Sequence, residues 1–168
     1  YLCPEGFQYW AQLMALLATA GIVYGVFVGL AQTDLKYVIG YSSVSHMGIV
    51  VLGLATGTVD GLNGSVFQMF AHGIMTGLFF ALVGLVYEKA HSRAIFSMGG
   101  FGQMMPGIAT AFTVAGLSSL GLPATAGFVA EFRQDRAIDV AREAWFAPPQ
   151  HRDAADHAER PRACDAEL

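Results

Sequence analysis

Long runs without a charged residue are the feature that most restricts how this chain can fold. Residues 9–31, 37–58 and 62–87 contain no Asp, Glu, Lys or Arg, and a fourth apolar stretch, 106–132, contains one charge near its end. A helix needs about 20 apolar residues to cross the roughly 30 Å hydrocarbon core of a bilayer. We therefore predict an all-α fold, a polytopic membrane helical bundle with about four transmembrane helices in these ranges.

The charged residues are divided unevenly along the chain. The first 132 residues contain eight of them, and the last 36 contain the other fourteen, eight acidic residues and six Arg. We expect residues 133–168 to form a polar tail, and the abrupt change after Phe132 supports the hypothesis that a reading-frame shift in GC-rich DNA or a misplaced gene end produced it. The alternative is a genuine soluble extension, in which 136–146 form a short amphipathic helix followed by disorder. Because Tyr1 stands where an initiator Met would be, we expect the chain to begin inside a longer protein.

The few basic residues between the apolar runs predict the orientation of the chain. Lys36 lies between the first and second runs, and Lys89 and Arg93 lie between the third and fourth. The link between the second and third runs contains only Asp60. Loops that carry Lys and Arg favour the cytoplasmic side. We therefore expect loops 32–36 and 88–105 to be cytoplasmic, and the chain to lie in the inner membrane of a bacterium.

The fourth run contains residues that interrupt a helix. Gly121, Pro123 and Gly127 lie close together, and Pro removes a backbone donor and clashes with the preceding turn. Broken backbone persists within a membrane only where it is buried in protein or lines a wet cavity. Glu131 follows directly, and a carboxylate beside a broken helix is typical of a transport site. The alternative, of equal weight on these residues alone, is a helix that ends here with Glu131 at the membrane surface.

Two histidines lie inside the second and third runs at similar depth. His46 is nine residues into its run and His72 ten residues into the next, which places each about 13–15 Å from a membrane face. Imidazole suits proton relay because its pKa lies near neutrality and its two nitrogens can accept and donate in turn. Ser42, Ser45 and Thr76 supply hydroxyls nearby that can hold water. The alternative for each histidine is an interhelical hydrogen bond with no proton transfer.

Other chemistries find little support in the sequence. Neither histidine has a Cys or carboxylate at metal-ligand spacing, and no phosphate loop, dinucleotide fingerprint or nucleophile elbow is present. Cys3 and Cys164 are interpreted as isolated thiols. We predict no metal, no cofactor in this chain and no nucleic-acid partner, so that any redox chemistry belongs to another chain.

Four motifs resemble the chain M (chain 4) family of antiporter-like membrane subunits of respiratory complex I. In order, they are AQTDLKYVIGYSSVSHMG, VFQMFAHGIMTG, YEKAHSR and GLPATAGFVAEF, and the resemblance covers about residues 7–132. It implies two inverted repeats, a broken helix in each, and proton transfer driven by quinone reduction elsewhere in an NADH:quinone oxidoreductase. It also implies that His46, His72 and Glu131 form the proton relay. We expect Asp34 and Lys36 to be supporting polar residues. The expected partners are other membrane subunits of complex I, the lipid bilayer, protons and internal water.

The chain departs from the family pattern in two places. The acidic and lysine residues of the first half of the family's proton pathway lie upstream of its start, and the polar tail matches nothing in the family. We therefore expect a fragment that does not pump protons by itself. Two alternatives stay open: a subunit of a multisubunit cation/proton antiporter or membrane-bound hydrogenase, and an inactive truncated product.

Overall fold

The computed structural model describes residues 4–146, and this part of the chain is helical without a named strand. The predicted all-α class is therefore confirmed. Three helices within residues 4–146 are long and apolar enough to cross a membrane. The helices are α1 (Pro4–Leu30), α2 (Leu35–Ala55), α3 (Val59–Ala90), α4 (Phe101–Met104), α5 (Pro106–Ser119) and α6 (Ala126–Phe146), with a single 3-10 turn at Ile95–Ser97.

The fourth predicted span is two helices, α5 and α6, separated by residues 120–125. Helix α6 does not stop at Phe132 but continues to Phe146, so the expected short helix at 136–146 is the second half of the helix that carries Glu131. Its buried side is a stripe of small residues, Gly127, Ala130, Ala137 and Ala141, together with Gln134. The predicted disorder after 146 and both cysteines lie outside the described residues.

Helices α1 and α2 pack closely because glycines remove side-chain bulk from their contact. A Cβ atom at Gly25 would lie 2.9 Å from the backbone nitrogen of Ser45, and one at Gly48 would lie 2.6 Å from Cγ1 of Ile22. Within a membrane, where lipid is as apolar as the side chains, such close backbone approach supplies much of the attraction between helices. Helix α1 packs almost entirely on α2, which leaves its outer face exposed.

Helices α2 and α3 form an antiparallel pair, and α3 also packs against α5 and α6. The Thr58 hydroxyl caps α3 by accepting from the Gly61 N–H at 3.1 Å, which satisfies one of the free donors at the helix start. Near the other end of this pair, Ile39, Phe79, Val83 and Ala115 form a buried apolar cluster. Helix α3 is therefore the central element, and it positions its polar side chains against α2, α5 and α6.

The two loops at one end of the bundle are joined by backbone hydrogen bonds. Leu35 N–H donates to the Arg93 carbonyl at 3.0 Å, and Ile95 N–H donates to the Thr33 carbonyl at 3.0 Å. The Asp34 carboxylate caps α2 by accepting from the Lys36 N–H at 2.8 Å. Residues 31–34 and 91–97 therefore lie at the same end of the molecule, which we call the loop end.

Candidate functional site: a buried His–His–Glu cluster

Three helices bring His46, His72 and Glu131 together in the interior of the bundle. The ring centroids of His46 and His72 are 5.3 Å apart, with 42° between the ring planes. His46 Nδ1 lies 3.8 Å from Glu131 Oε1, which is an ion-pair distance but longer than a hydrogen bond. The similar depth worked out from helical rise thus corresponds to a direct contact between the side chains.

The cluster is largely enclosed and has few polar neighbours. The His46 side chain is 15% exposed and that of Glu131 28% exposed. Thr76 Oγ1 lies 3.1 Å from His72 Nε2, and Gln68 Nε2 donates to Glu131 Oε1 at 3.5 Å. Among residues 4–146, the Nδ1 atoms of both histidines are buried without a hydrogen-bond partner. One nitrogen on each ring is therefore left to exchange a proton with a neighbour that approaches it.

The Glu131 carboxylate lies against the helix break. Gly121 has φ +62°, a left-handed conformation that residues with a Cβ atom rarely adopt. A Cβ atom at Gly121 would collide with Oε2 of Glu131, so the carboxylate lies directly against the backbone of the break. A Cβ at Gly127 would lie 2.9 Å from the Ser118 carbonyl oxygen, where α6 begins beside the end of α5. Pro123 lies in the turn between the two helices and outside the cluster.

Two cavities meet at the cluster. The smaller, of about 10 Å³, is lined by both histidines, Glu131, Gln68 and Ser118, among others, and it is near the lower limit of about 10–15 Å³ that one water needs. The larger, of about 250 Å³, extends from His72 towards the loop end. Its polar lining consists of Ser42, Ser43, Thr76 and Ser119 together with His72. Hydroxyl groups therefore line the part of this cavity nearest the cluster, whereas apolar side chains, including Leu35, Val38 and Phe79, line the part towards the loop end.

Not every residue predicted for the site lies in it. Asp34 and Lys36 are at the loop end, where Asp34 caps α2. Ser45 packs against Gly25 of α1, and it lines neither cavity. Ser42 and Thr76 do line the larger cavity, and Thr76 contacts His72. Among residues 4–146, no three His, Cys, Asp or Glu side chains come together as a metal site requires.

Gln68 is a neighbour of Glu131 that was not predicted from the sequence. It lies four residues before His72, so the two side chains share one face of α3. That spacing was a signal for its place beside the cluster. Ser118 and Ser119 line the smaller cavity as well, and no sequence pattern set them apart from the other small residues of the fourth run.

Comparison with known proteins assigns the chain to a family. A family model described as "NADH:quinone oxidoreductase/Mrp antiporter, TM" matches residues 5–134. The chain belongs to this family of membrane subunits. The resemblance predicted from the four motifs is therefore confirmed, and so is the prediction of a membrane protein.

Individual family members show how much of the fold is shared. The chain is 44% identical over 131 residues to NADH-quinone oxidoreductase subunit M of Rickettsia prowazekii, and 40% identical over 130 residues to an NAD(P)H-quinone oxidoreductase chain 4 of Microcystis aeruginosa. These matches cover 78% and 77% of this chain but 27% and 24% of the relatives. The structure is similar to a chain of respiratory complex I from Thermus thermophilus with bound NADH, with a TM-score of 0.79 and 35% identity. That match covers 82% of this chain and 30% of the other. The chain thus spans about a quarter of the length of the curated relatives that it matches.

Proposed function

We propose that this chain is part of a proton-translocating membrane subunit of an NADH:quinone oxidoreductase, in which His72, His46 and Glu131 pass protons in turn. The observation that carries the proposal is the contact of three titratable side chains from three helices inside a membrane protein. Titratable groups are costly within a bilayer, and where they occur they mark ion or proton pathways. Membership of the family and the likeness to subunit M and chain 4 proteins support it.

The proposed route begins at the loop end. A proton enters through the larger cavity and reaches His72, whose Nε2 lies beside the Thr76 hydroxyl. Protonated His72 then passes the proton to His46, whose ring centre is 5.3 Å away. From His46 it moves to Glu131, across 3.8 Å between Nδ1 and Oε1. That gap exceeds a hydrogen bond by nearly 1 Å, so transfer needs a small approach of the two groups or one water between them.

The proposal assigns proton transfer alone to this chain. The neighbouring membrane subunits supply the rest of the pathway, and electron transfer takes place in other chains. The loop end, with Lys36, Lys89 and Arg93, faces the cytoplasm of a bacterial inner membrane. A Cys introduced at Ser92 in a Cys3→Ser, Cys164→Ser background tests this orientation. An impermeant thiol reagent should label it in inverted vesicles and leave it unlabelled in intact spheroplasts, and the reverse pattern would reverse the assignment.

The relay is tested in inverted membrane vesicles that contain the chain assembled with its partner subunits. We expect His46→Ala, His72→Ala and Glu131→Gln to lower the protons moved per electron while NADH oxidation by an added electron acceptor continues. Ser45→Ala is the matched control, because Ser45 lies on α2 one residue from His46 but faces α1. Normal proton movement per electron in His72→Ala would remove His72 from the relay.

Cation/proton antiport is the second candidate, because the family description names an antiporter beside the oxidoreductase. The relatives at 40–44% identity named above are oxidoreductase subunits, which favours the first proposal. A sodium-dependent pH change in vesicles without NADH would favour the antiporter. Failure of the chain to assemble with partner subunits would favour the inactive product.

A further inference from the structure

A second buried polar group lies about one helical turn from Glu131 and His46, on the same three helices. Gln134 of α6 and Ser65 of α3 are both fully buried. Gln134 Nε2 donates to Ser65 Oγ at 3.2 Å, and Ser65 Oγ donates to the Val50 carbonyl of α2 at 3.0 Å. These two hydrogen bonds join α6 to α3 and α3 to α2, and we call the group the Gln134–Ser65 lock.

Glycines on the two facing helices make room for the Gln134 side chain. A Cβ atom at Gly53 of α2 would lie 2.6 Å from Ser65 Oγ and 3.1 Å from Gln134 Cγ. A Cβ atom at Gly64 of α3 would lie 3.0 Å from Gln134 Cγ. Since neither glycine has a side chain, Gln134 occupies a slot that closes around it from both sides. A side chain held in this way restricts both the rotation of α6 and its movement along its axis.

The lock lies about one helical turn from the relay on α6 and α2, and two turns from it on α3. Gln134 follows Glu131 by three residues on α6, and Ser65 precedes His72 by seven on α3. On α2, Val50 follows His46 by four residues. Residues three or four apart lie on one helix face, about 4.5–6 Å apart along the axis. Any shift of α6 against α2 and α3 at the lock therefore moves the Glu131 carboxylate relative to His46.

We infer that Gln134 is a positioning residue, which sets the distance between Glu131 and His46 through its hydrogen bond to Ser65 in the glycine slot. Among residues 4–146, Gln134 makes no hydrogen bond to a relay side chain. The last contact in the relay, 3.8 Å between His46 Nδ1 and Glu131 Oε1, depends on the position of α6. Helix α6 begins at a helix break only five residues before Glu131, so its start is not fixed by a continuous helix. Of the two tests below, only the transport measurement rests on the proposed function.

The structural test compares Gln134→Leu, which keeps the size of the side chain but removes the hydrogen bond, with Asp139→Asn on the exposed side of α6. Spin labels at Val44 and Val140, both exposed, report the distance between α2 and α6 in the full chain lacking its native cysteines. We expect the distance distribution to broaden or shift in Gln134→Leu and Ser65→Ala, and to stay unchanged in Asp139→Asn. Combining Gln134→Leu with Ser65→Ala should add little, because both remove the same bond. An unchanged distribution in Gln134→Leu would overturn the inference.

The transport test uses the same variants in the vesicles described above. Gln134→Leu should lower proton movement per electron severalfold and shift its dependence on pH, whereas a purely structural loss would lower the amount of assembled complex without moving the pH profile. A shifted distance with an unchanged pH profile would also overturn the positioning role. If neither the unmodified chain nor any variant moves protons, the proposed function fails, and the spin-label distances alone decide whether the lock sets the position of α6.

Discussion

Replacing Gly121 by Ala tests whether the helix break holds the Glu131 carboxylate in place. Gly121 lies in the turn between α5 and α6 with φ +62°, and a Cβ atom added there would overlap Oε2 of Glu131. The substitution therefore makes two demands on the fold at once. The backbone must hold an unfavourable conformation, and the carboxylate must move.

The magnitude follows from the backbone. A left-handed conformation costs a residue with a Cβ atom roughly 1–2 kcal/mol, which a glycine does not lose. The overlap with Glu131 adds little to this, because the carboxylate is the free end of a flexible side chain and can rotate away. Its rotation matters for function, since the same carboxylate lies 3.8 Å from His46. We expect the free energy of unfolding to fall by about 1–2 kcal/mol and proton movement per electron to fall with it.

Gly84→Ala is the matched control. Gly84 lies within α3, and a Cβ atom there would meet nothing within 4 Å. In a helix interior, Ala is more favourable than Gly by roughly 0.5–1 kcal/mol, so the control should stabilise the chain. Unfolding in detergent by increasing dodecyl sulfate, followed by circular dichroism, measures both variants. Equal stability of Gly121→Ala and Gly84→Ala would refute the account of the break given above.

Three further substitutions test separate parts of the fold in the same unfolding assay. Asp34→Ala removes the cap of α2 and should cost about 0.5–2 kcal/mol, whereas Glu88→Ala at an exposed position should change little. Gly25→Ala should push α1 from α2, because the new methyl meets backbone atoms of Ser45 and Tyr41, while Gly21→Ala meets nothing within 4 Å and should be tolerated. Thr76→Val removes the contact with His72 and should cost about 0.5–1.5 kcal/mol; Thr113→Val, whose hydroxyl bonds only within α5, is the control. Equal effects within any of these pairs would contradict the contact concerned.

The membrane helices could be predicted closely because their cause is local. A run of apolar residues needs no partner to define a span, so the predicted ranges 9–31, 37–58 and 62–87 overlap α1, α2 and α3 over most of their length. Helical rise alone placed His46 and His72 at one depth, and their rings are in contact. The depth of a residue in the membrane depends only on its position along its own helix, so the sequence was sufficient to predict it.

Which neighbouring helix a side chain faces depends on how the helices pack, and this packing could not be predicted from the sequence. Ser42 and Ser45 were both expected near His46, yet Ser42 lines the larger cavity and Ser45 faces α1. Ser45 faces α1 and not a cavity because Gly25, which has no side chain, lets α1 approach the Ser45 side of α2. The spacing to His72 placed Gln68 on the same face of α3, but its contact with Glu131 could not be predicted. Its role depends on α6 bringing Glu131 to α3, which is a contact between residues 63 positions apart.

The helix break also determines how deep in the bundle the charge-rich part of α6 lies. Glu131 lies level with His46, and nine residues separate His46 from the end of α2 at Ala55. Counted along α6 at the same rise, that distance of about 13 Å is covered by Val140. The exposed charges of α6 begin at Arg133, so Arg133, Asp135 and Asp139 lie between the level of the relay and the end of α2. A continuous helix from Pro106 would carry Arg133 about 40 Å along its axis, past the roughly 30 Å of an apolar core, whereas the break leaves Arg133 about 3 Å beyond the relay.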